Sequence, residues 1–321
     1  MRRSAVATRG LLILCLSAPA LTAQVPTPSL YAPSSGPAVR LGGYIQARGT
    51  YTDGPGLVFS LNRARATVDG YLGDGFGYKL QSELTAPAAG VATVSVRDAL
   101  VRWSRSGFAL TAGQYKTPFS LEYVTSIAVI ETADRASVVD SLAPKRDIGL
   151  MGDYTAGNLG YLAFGIFNGS GQNHPSNADT TLLLVGRLSI RPLPFLNIAA
   201  NVADTRDSTR YGADLAADYR GIGLKGEYIT LARDFQNSPD KGWYAQLSYR
   251  IVPWIQLVVK QEDFRRNEAI THGYKNHATT GGANLFFAAS RFRITVNYVR
   301  RTLGNPGTTG GTVITQFQAR F

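Results

Sequence analysis

In residues 291–301, R-F-R-I-T-V-N-Y-V-R-R, apolar and polar side chains alternate almost one by one. Strand side chains point to opposite faces with a period of two. Phe292, Ile294, Val296 and Tyr298 therefore share one face, and Arg291, Arg293, Thr295, Asn297 and Arg301 share the other. A soluble β-sandwich would hide the apolar face in its core and leave the charges in bulk water. Here the pattern recurs along most of the chain, in segments of about 10 residues parted by Gly, Asn, Asp and Pro. The sequence also ends on an aromatic residue, Phe321. Together these features predict an all-β fold: a transmembrane antiparallel β-barrel with lipid outside and a wet, basic channel inside. Closure has a physical cause, since hydrocarbon offers no partner to an unpaired strand edge.

The alternation predicts sixteen strands, at residues 39–52, 61–72, 75–86, 93–104, 107–116, 146–155, 158–168, 179–190, 194–204, 209–220, 222–232, 242–252, 254–265, 279–289, 291–301 and 311–321. The even count suits a single-chain bacterial barrel. Several strands sort cleanly by face. Trp243, Ala245, Leu247, Tyr249 and Ile251 oppose Tyr244, Gln246, Ser248 and Arg250; Phe76, Tyr78, Leu80 and Leu84 oppose Lys79, Gln81 and Glu83. A charge on the lipid face costs ~2–4 kcal/mol at the membrane midplane, so the charged faces belong to the lumen. A barrel of this strand number is too wide to fill with its own wall side chains and keeps a water channel. Tyr71, Trp103, Tyr154, Trp243, Trp254 and Tyr298, near strand ends, are candidates for the interfacial aromatic girdles.

The first residues stand apart. Arg2, Arg3 and Arg9 precede a short apolar run from Leu11 to Leu16, then small residues that allow cleavage after Ala20 or Ala23. This reads as a secretory signal peptide, too short to span a bilayer as a helix. The expected organisation is therefore a signal peptide at 1–23, a Pro- and Ser-rich periplasmic leader at 24–38 and one barrel domain at 39–321 of the outer membrane. Cys15 is the only cysteine and goes with the signal, which excludes disulfides and thiolate metal sites. Removing residues 1–23 takes three of 33 basic residues and none of 22 acidic ones, leaving a net charge of +8. Arginine dominates that excess, and its planar fork matches phosphate, sulfate and carboxylate. The arginines are spread over many strands without a nucleic-acid motif, so the expected partners are small phosphate-like anions and outer-membrane lipid, not nucleic acid.

Candidate anion-pathway residues are the inward Arg40, Arg48, Arg63, Arg65, Arg291 and Arg293, with Lys79, Lys116 and Arg135 nearer a constriction. Neighbouring inward cations hold a positive potential along a narrow water path and concentrate anions there. The bland alternative is that these cations merely pair with Asp69, Glu83, Asp98, Glu227 and Glu262 to keep the lumen solvated. Residues 117–145 form the longest connection and are too apolar for a solvated external loop. The simplest expectation is that this segment folds into the barrel; packing over a neighbouring subunit is the other. Catalysis finds little support. His174, His272 and His277 fall in segments rich in Asn, Gly and Thr that read as loops, with no metal-ligand spacing and no G-x-S-x-G partner. No catalytic residue, metal or cofactor is expected, although an outer-membrane hydrolase and an adhesion barrel remain the competing classes beside a general porin.

Several short motifs occur in a characteristic order: F-x-x-x-R-x-R at Phe59, Arg63 and Arg65, D-A-x-V from Asp98 to Val101, and G-Q-Y-K-x-P-F-x-x-E from Gly113 to Glu122. R-D-I-G from Arg146 to Gly149, F-N-G-S-G from Phe167 to Gly171 and Q-x-x-F from Gln318 to Phe321 complete the set. In these motifs the chain resembles the phosphate-selective porin O/P family of Gram-negative outer membranes over nearly its whole mature length. The resemblance implies a 16-stranded homotrimeric porin for the passive diffusion of anions, phosphate or polyphosphate among them. It also implies a third loop folded inward, arginines along the path and a lysine near the constriction. The sequence departs from that pattern at one place. Between Pro118 and Pro144 there is no lysine, only Arg135 among Glu122, Glu131, Asp134 and Asp140.

Overall fold

The computed structural model describes residues 38–321 except 86–91, 178–179, 236, 267–273 and 305–306. The expected signal peptide, the leader up to residue 37 and His272 lie outside the described residues; Ala38, the last residue of the expected leader, opens β1. Sixteen antiparallel strands form a closed barrel, each bonded to its neighbours in sequence and the first to the last. They are β1 (Ala38–Thr52), β2 (Gly56–Gly73), β3 (Phe76–Thr85), β4 (Thr93–Arg105), β5 (Phe108–Lys116), β6 (Arg146–Ala156), β7 (Gly160–Phe167) and β8 (Leu183–Leu193). β9 (Leu196–Thr205), β10 (Ser208–Tyr219), β11 (Ile222–Arg233), β12 (Asp240–Val252), β13 (Ile255–Arg266), β14 (Tyr274–Phe287), β15 (Phe292–Gly304) and β16 (Gly307–Arg320) complete the ring. The expected strands all occur. β2, β14 and β16 begin four to five residues earlier than the alternation suggests: the starts of β14 and β16 carry little apolar signal, whereas β2 opens on a continuous apolar run, Leu57-Val58-Phe59, that shows no period of two. One consequence is a correction: His277 stands in β14 on the exposed face, beside Gln261 and Asp263, and not in a loop.

The seam joins the two extremes of the sequence. Tyr44 pairs with Arg320 and Thr52 with Thr312. Gly43 and Phe321 exchange backbone hydrogen bonds at 3.0 and 3.1 Å. Gly43 has to be glycine there, since a Cβ would lie 2.3 Å from the Arg65 carbonyl oxygen and 2.8 Å from the Phe321 ring.

The two ends of the barrel differ. Every connection after an even-numbered strand is two to four residues long. Three of these, Asp74-Gly75, Ser106-Gly107 and Arg220-Gly221, place both residues at positive φ. That is the I′ hairpin geometry whose twist matches the flanking strands. The opposite end carries the long connections, including residues 117–145 between β5 and β6. Outer-membrane barrels set their short turns toward the periplasm and their longer loops outward.

Outward positions form an apolar surface. Leu80, Val101, Leu110, Leu162, Leu188, Leu224, Leu247, Val259 and Val296 are all exposed, and the polar residues between them are buried or half-buried. On β12 the burial alternates residue by residue, with Tyr244, Gln246 and Ser248 inside. This inversion of a soluble core is what a lipid solvent demands. Aromatic contacts collect at the short-turn end, where Phe108 meets Tyr154, Phe195 meets Tyr219 and Phe287 meets Phe292.

The lumen is not uniformly wet. Residues 117–145 fold inward and contain two short helices, α1 (Leu121–Val124) and α2 (Ser137–Leu142). Phe119, Val138, Val139 and Leu142 pack against inward residues of β5 to β13, among them Tyr161, Phe167, Val185, Ile229 and Phe264. The wall makes room for them with small residues, as at Gly242, where a Cβ would lie 2.9 Å from Val138 Cγ2. The apolar stretch thus supplies a core that the wall alone is too wide to form.

Replacing Leu247 with Arg, on the exposed face of β12, is expected to destabilise the barrel by ~2–4 kcal/mol if the site lies at the midplane. Urea unfolding in liposomes measures this. An unchanged midpoint would mean that this face does not touch hydrocarbon.

Candidate functional site: the loop-lined constriction

The inward segment is pinned to the wall by charge-assisted hydrogen bonds, which are about twice as strong as neutral ones. Glu227 on β11 accepts from the backbone N–H groups of Leu121 at 3.1 Å and Glu122 at 2.5 Å, and from the Tyr244 hydroxyl at 2.9 Å. Ser120 caps α1 by accepting from Tyr123 N. Lys225 and Gln246 hold the Glu131 carboxylate at 2.6 and 2.9 Å. Asn284 donates to the Glu131 carbonyl, Gln318 to that of Ala128, and Lys260 to Thr132 Oγ1 and the Asp134 carbonyl. On the far wall Asn297 Oδ1 accepts from Ala133 N at 2.8 Å. The segment therefore crosses the lumen and grips β11 to β16 and β1.

These anchors tune the loop's own carboxyls. Burial would raise Glu131, but Lys225 and the Gln246 bond outweigh it and hold the group below the ordinary range. Asp134 is likewise pushed up by burial, yet the bonds from Arg48 bring it below its usual value. Glu122 stays raised because burial outweighs Lys260 and the Ala136 amide.

The predicted site residues fall into distinct positions. Arg48 clamps the loop, donating to Asp134 at 2.8 and 3.0 Å, to the Ala133 carbonyl and to Gln316. Arg293 is buried beneath the loop and donates to the Ile130 carbonyl at 2.8 Å. Arg40 is exposed on β1 and bridges to Asp69 at 2.8 Å. Arg291 lies in the turn before β15, exposed at the short-turn rim. Lys116 donates from Nζ to the carbonyls of Tyr123, Val124 and Thr125 at 2.7, 3.2 and 2.9 Å. It therefore holds the C-terminal end of α1, where a cation complements the orphaned carbonyls.

Arg63, Arg65, Lys79 and Arg135 meet on the remaining side of the lumen. Arg65 bridges to Glu83 at 2.9 Å, and Arg97 joins it on the same carboxylate. Lys79 and Arg146 share Asp98 at 2.7 and 2.8 Å. Arg63 donates to Gln46 at 3.1 Å, and Arg135 donates to the carbonyls of Glu122 and Thr125. Among the described residues neither of these two pairs with a carboxylate within 4.0 Å. Tyr44 and Tyr123 sit in their midst. Arg65 stacks over the Tyr44 ring at 5.6 Å, and Arg135 over Tyr123 at 5.1 Å. The charges of Arg63, Arg65, Arg135 and Arg146 all act on the Tyr44 hydroxyl, which is buried without a hydrogen-bond partner. Six cations, Arg63, Arg65, Lys79, Arg97, Arg135 and Arg146, gather here; Glu83 and Asp98 pair with four of them, while the loop carboxylates Glu122, Asp134 and Asp140 act on Arg63 and Arg135 from further away.

Sequence reasoning missed Arg97, Arg146, Tyr44 and Tyr123. Arg97 falls at a bulge, where the β3–β4 register shifts between Gln81 and Ser82 and displaces the parity. Arg146 is the first residue of β6 and was legible only as the start of R-D-I-G.

The model of the family "Phosphate-selective porin O and P" matches residues 43–193 and 195–316, and the chain belongs to this family. No curated protein matches it. Among solved structures, a loop L8 deletion mutant of OmpT, an outer membrane protein of Vibrio cholerae, is similar at 12% identity and a TM-score of 0.68, over 89% of this chain and 100% of that one. The trimer form of in-vitro folded OmpT from Vibrio cholerae gives 12% and 0.66 over 89% and 100%. An anion-selective porin from Comamonas acidovorans gives 15% and 0.64 over the same shares. At these identities the likeness is one of fold: the 16-stranded barrel of outer-membrane porins.

Two outcomes test the anchoring. Arg48→Gln with Arg293→Gln removes two charged anchors of residues 130–134 and is expected to raise single-channel conductance and current noise; an unaltered trace would show that the clamp does not set the aperture. The raised Glu122 carboxyl binds its proton more tightly in the folded state than in the unfolded chain. Its contribution is thus fully present below the unfolded value and lost as pH rises through the folded one. Glu122→Gln is expected to melt higher than the parent at pH 7, with the gap closing toward pH 4, in detergent thermal scans.

Proposed function

We propose that this porin passes small anions by passive diffusion across the bacterial outer membrane, and that its selectivity arises where the inward segment narrows the lumen. The observation that carries the reading is the cluster of cations around Tyr44 and Tyr123, with Arg63 and Arg135 lacking carboxylate partners within 4.0 Å among the described residues. Such a field raises the local anion concentration and opposes cations in a confined water path. Anion selectivity in the similar Comamonas acidovorans porin supports it.

In this reading the anion pathway runs past Arg63, Arg65, Lys79 and Arg135, with Arg97 and Arg146 beside them. Arg40 and Arg291 lie toward the short-turn mouth. Arg48, Arg293 and Lys116 act on the path by holding the loop in place. The engagement of Lys116 with α1, and the absence of lysine from residues 118–144, favour a broad preference for anions over a dedicated phosphate site. The membrane partner is outer-membrane lipid, reached after the signal peptide is cleaved. A homotrimer is the assembly proposed, in keeping with the trimer form of the Vibrio cholerae protein.

Arg63→Glu with Arg135→Glu is expected to move the zero-current potential in a KCl gradient toward cation preference. An unchanged potential would remove both residues from the pathway. In the parent channel, phosphate titrated into chloride is expected to lower conductance without saturating; saturable block would restore a specific phosphate site.

A further inference from the structure

On the loop-bearing side of the constriction, a cavity of about 110 Å³ lies between the inward segment and β13 to β16. Asn297 fixes its floor by holding Ala133, and Arg301 stands two inward positions further along β15. The cavity is bounded by charges of both signs: Arg135, Lys260 and Arg301 against Asp134 and Glu262.

Their pairing is loose where it borders the cavity. Glu262 is buried, yet its short hydrogen bond is to Ser137 Oγ, at 2.7 Å. Its cations stand off, with Lys260 at 3.8 Å and Arg301 at 3.7 Å. Those separations exceed the 2.7–2.9 Å of a charge-assisted bond, so neither cation hydrogen-bonds the Glu262 carboxylate. Arg301 Nε is itself buried without a partner. A buried carboxylate and a guanidinium kept just out of reach of each other form a pair that a third, dipolar body can satisfy.

We propose that this cavity is a binding subsite for small dipolar solutes carrying one carboxylate and one ammonium, such as short amino acids. The ammonium donates to Glu262 and the carboxylate accepts from Arg301, while Lys260, already held by Thr132 and the Asp134 carbonyl, supports the carboxylate at longer range. The volume suits a solute of several heavy atoms, since one water occupies about 30 Å³ of the liquid. Thr312, at the cavity edge, supplies a hydroxyl. The inference rests on the chain being an open channel but not on the sign of its ion selectivity.

The test is chloride current through the folded protein in planar bilayers, with glycine, acetate or methylammonium added in turn. Glycine is expected to give saturable block where acetate and methylammonium, each carrying one charge, do not. Arg301→Gln is expected to weaken the glycine block about ten-fold or more, the worth of a hydrogen bond to a charged group, and to leave the zero-current potential anion-preferring. Thr312→Val, which keeps every charge, is a second variant should Arg301→Gln insert poorly, and is expected to weaken the block more modestly. Equal block by acetate, or glycine block unaltered in both variants, would overturn the subsite. Anion preference retained in that case would leave the proposed function standing, and its loss in the parent channel would fell that reading separately.

Discussion

Everything in this molecule follows from the cost of an unpaired backbone group in hydrocarbon. Each open strand edge would carry a row of such groups, each costing several kcal/mol, so the sheet must close. Closing it takes sixteen strands here, with β1 bonded to β16. The circumference then decides the rest, because a ring of that size cannot fill its own middle.

The inward segment answers the problem of width in two ways at once. Its apolar face, with Phe119, Val138 and Leu142, packs against one half of the lumen wall and makes it dry. Its polar groups and backbone carbonyls are held by Arg48, Lys225, Lys260, Asn284, Arg293 and Gln318 on the other half. Arg63, Arg65 and Arg135 line the side that the apolar packing leaves uncovered. Stability and selectivity thus share one set of arginines, and several cations that look available to solute in a linear reading are structural.

The architecture was legible in the sequence because lipid and water enforce the period of two on every strand, and residues 117–145 stood out by length and apolarity. The division of labour among the cations was not legible. Parity says that Arg48, Arg63 and Arg293 all point inward, but not that two of them lie under the loop while Arg63 does not. That distinction depends on how far the loop crosses, a tertiary fact. Parity also fails at bulges, which is why Arg97 escaped notice. The pairing of lumen cations with carboxylates proved real for Asp69, Glu83 and Asp98, whereas Glu227 serves the α1 backbone instead.

The bonds between Gly43 and Phe321 have a consequence for how the molecule comes into being. Nearest-neighbour hairpins form from local contacts, but this one pairing joins residues separated by almost the full described chain, and its loop-closure entropy is correspondingly the largest in the molecule. No cylinder exists until it is made. Before then the growing sheet carries two raw borders and a face that water rejects, and both stay exposed until β16 reaches β1.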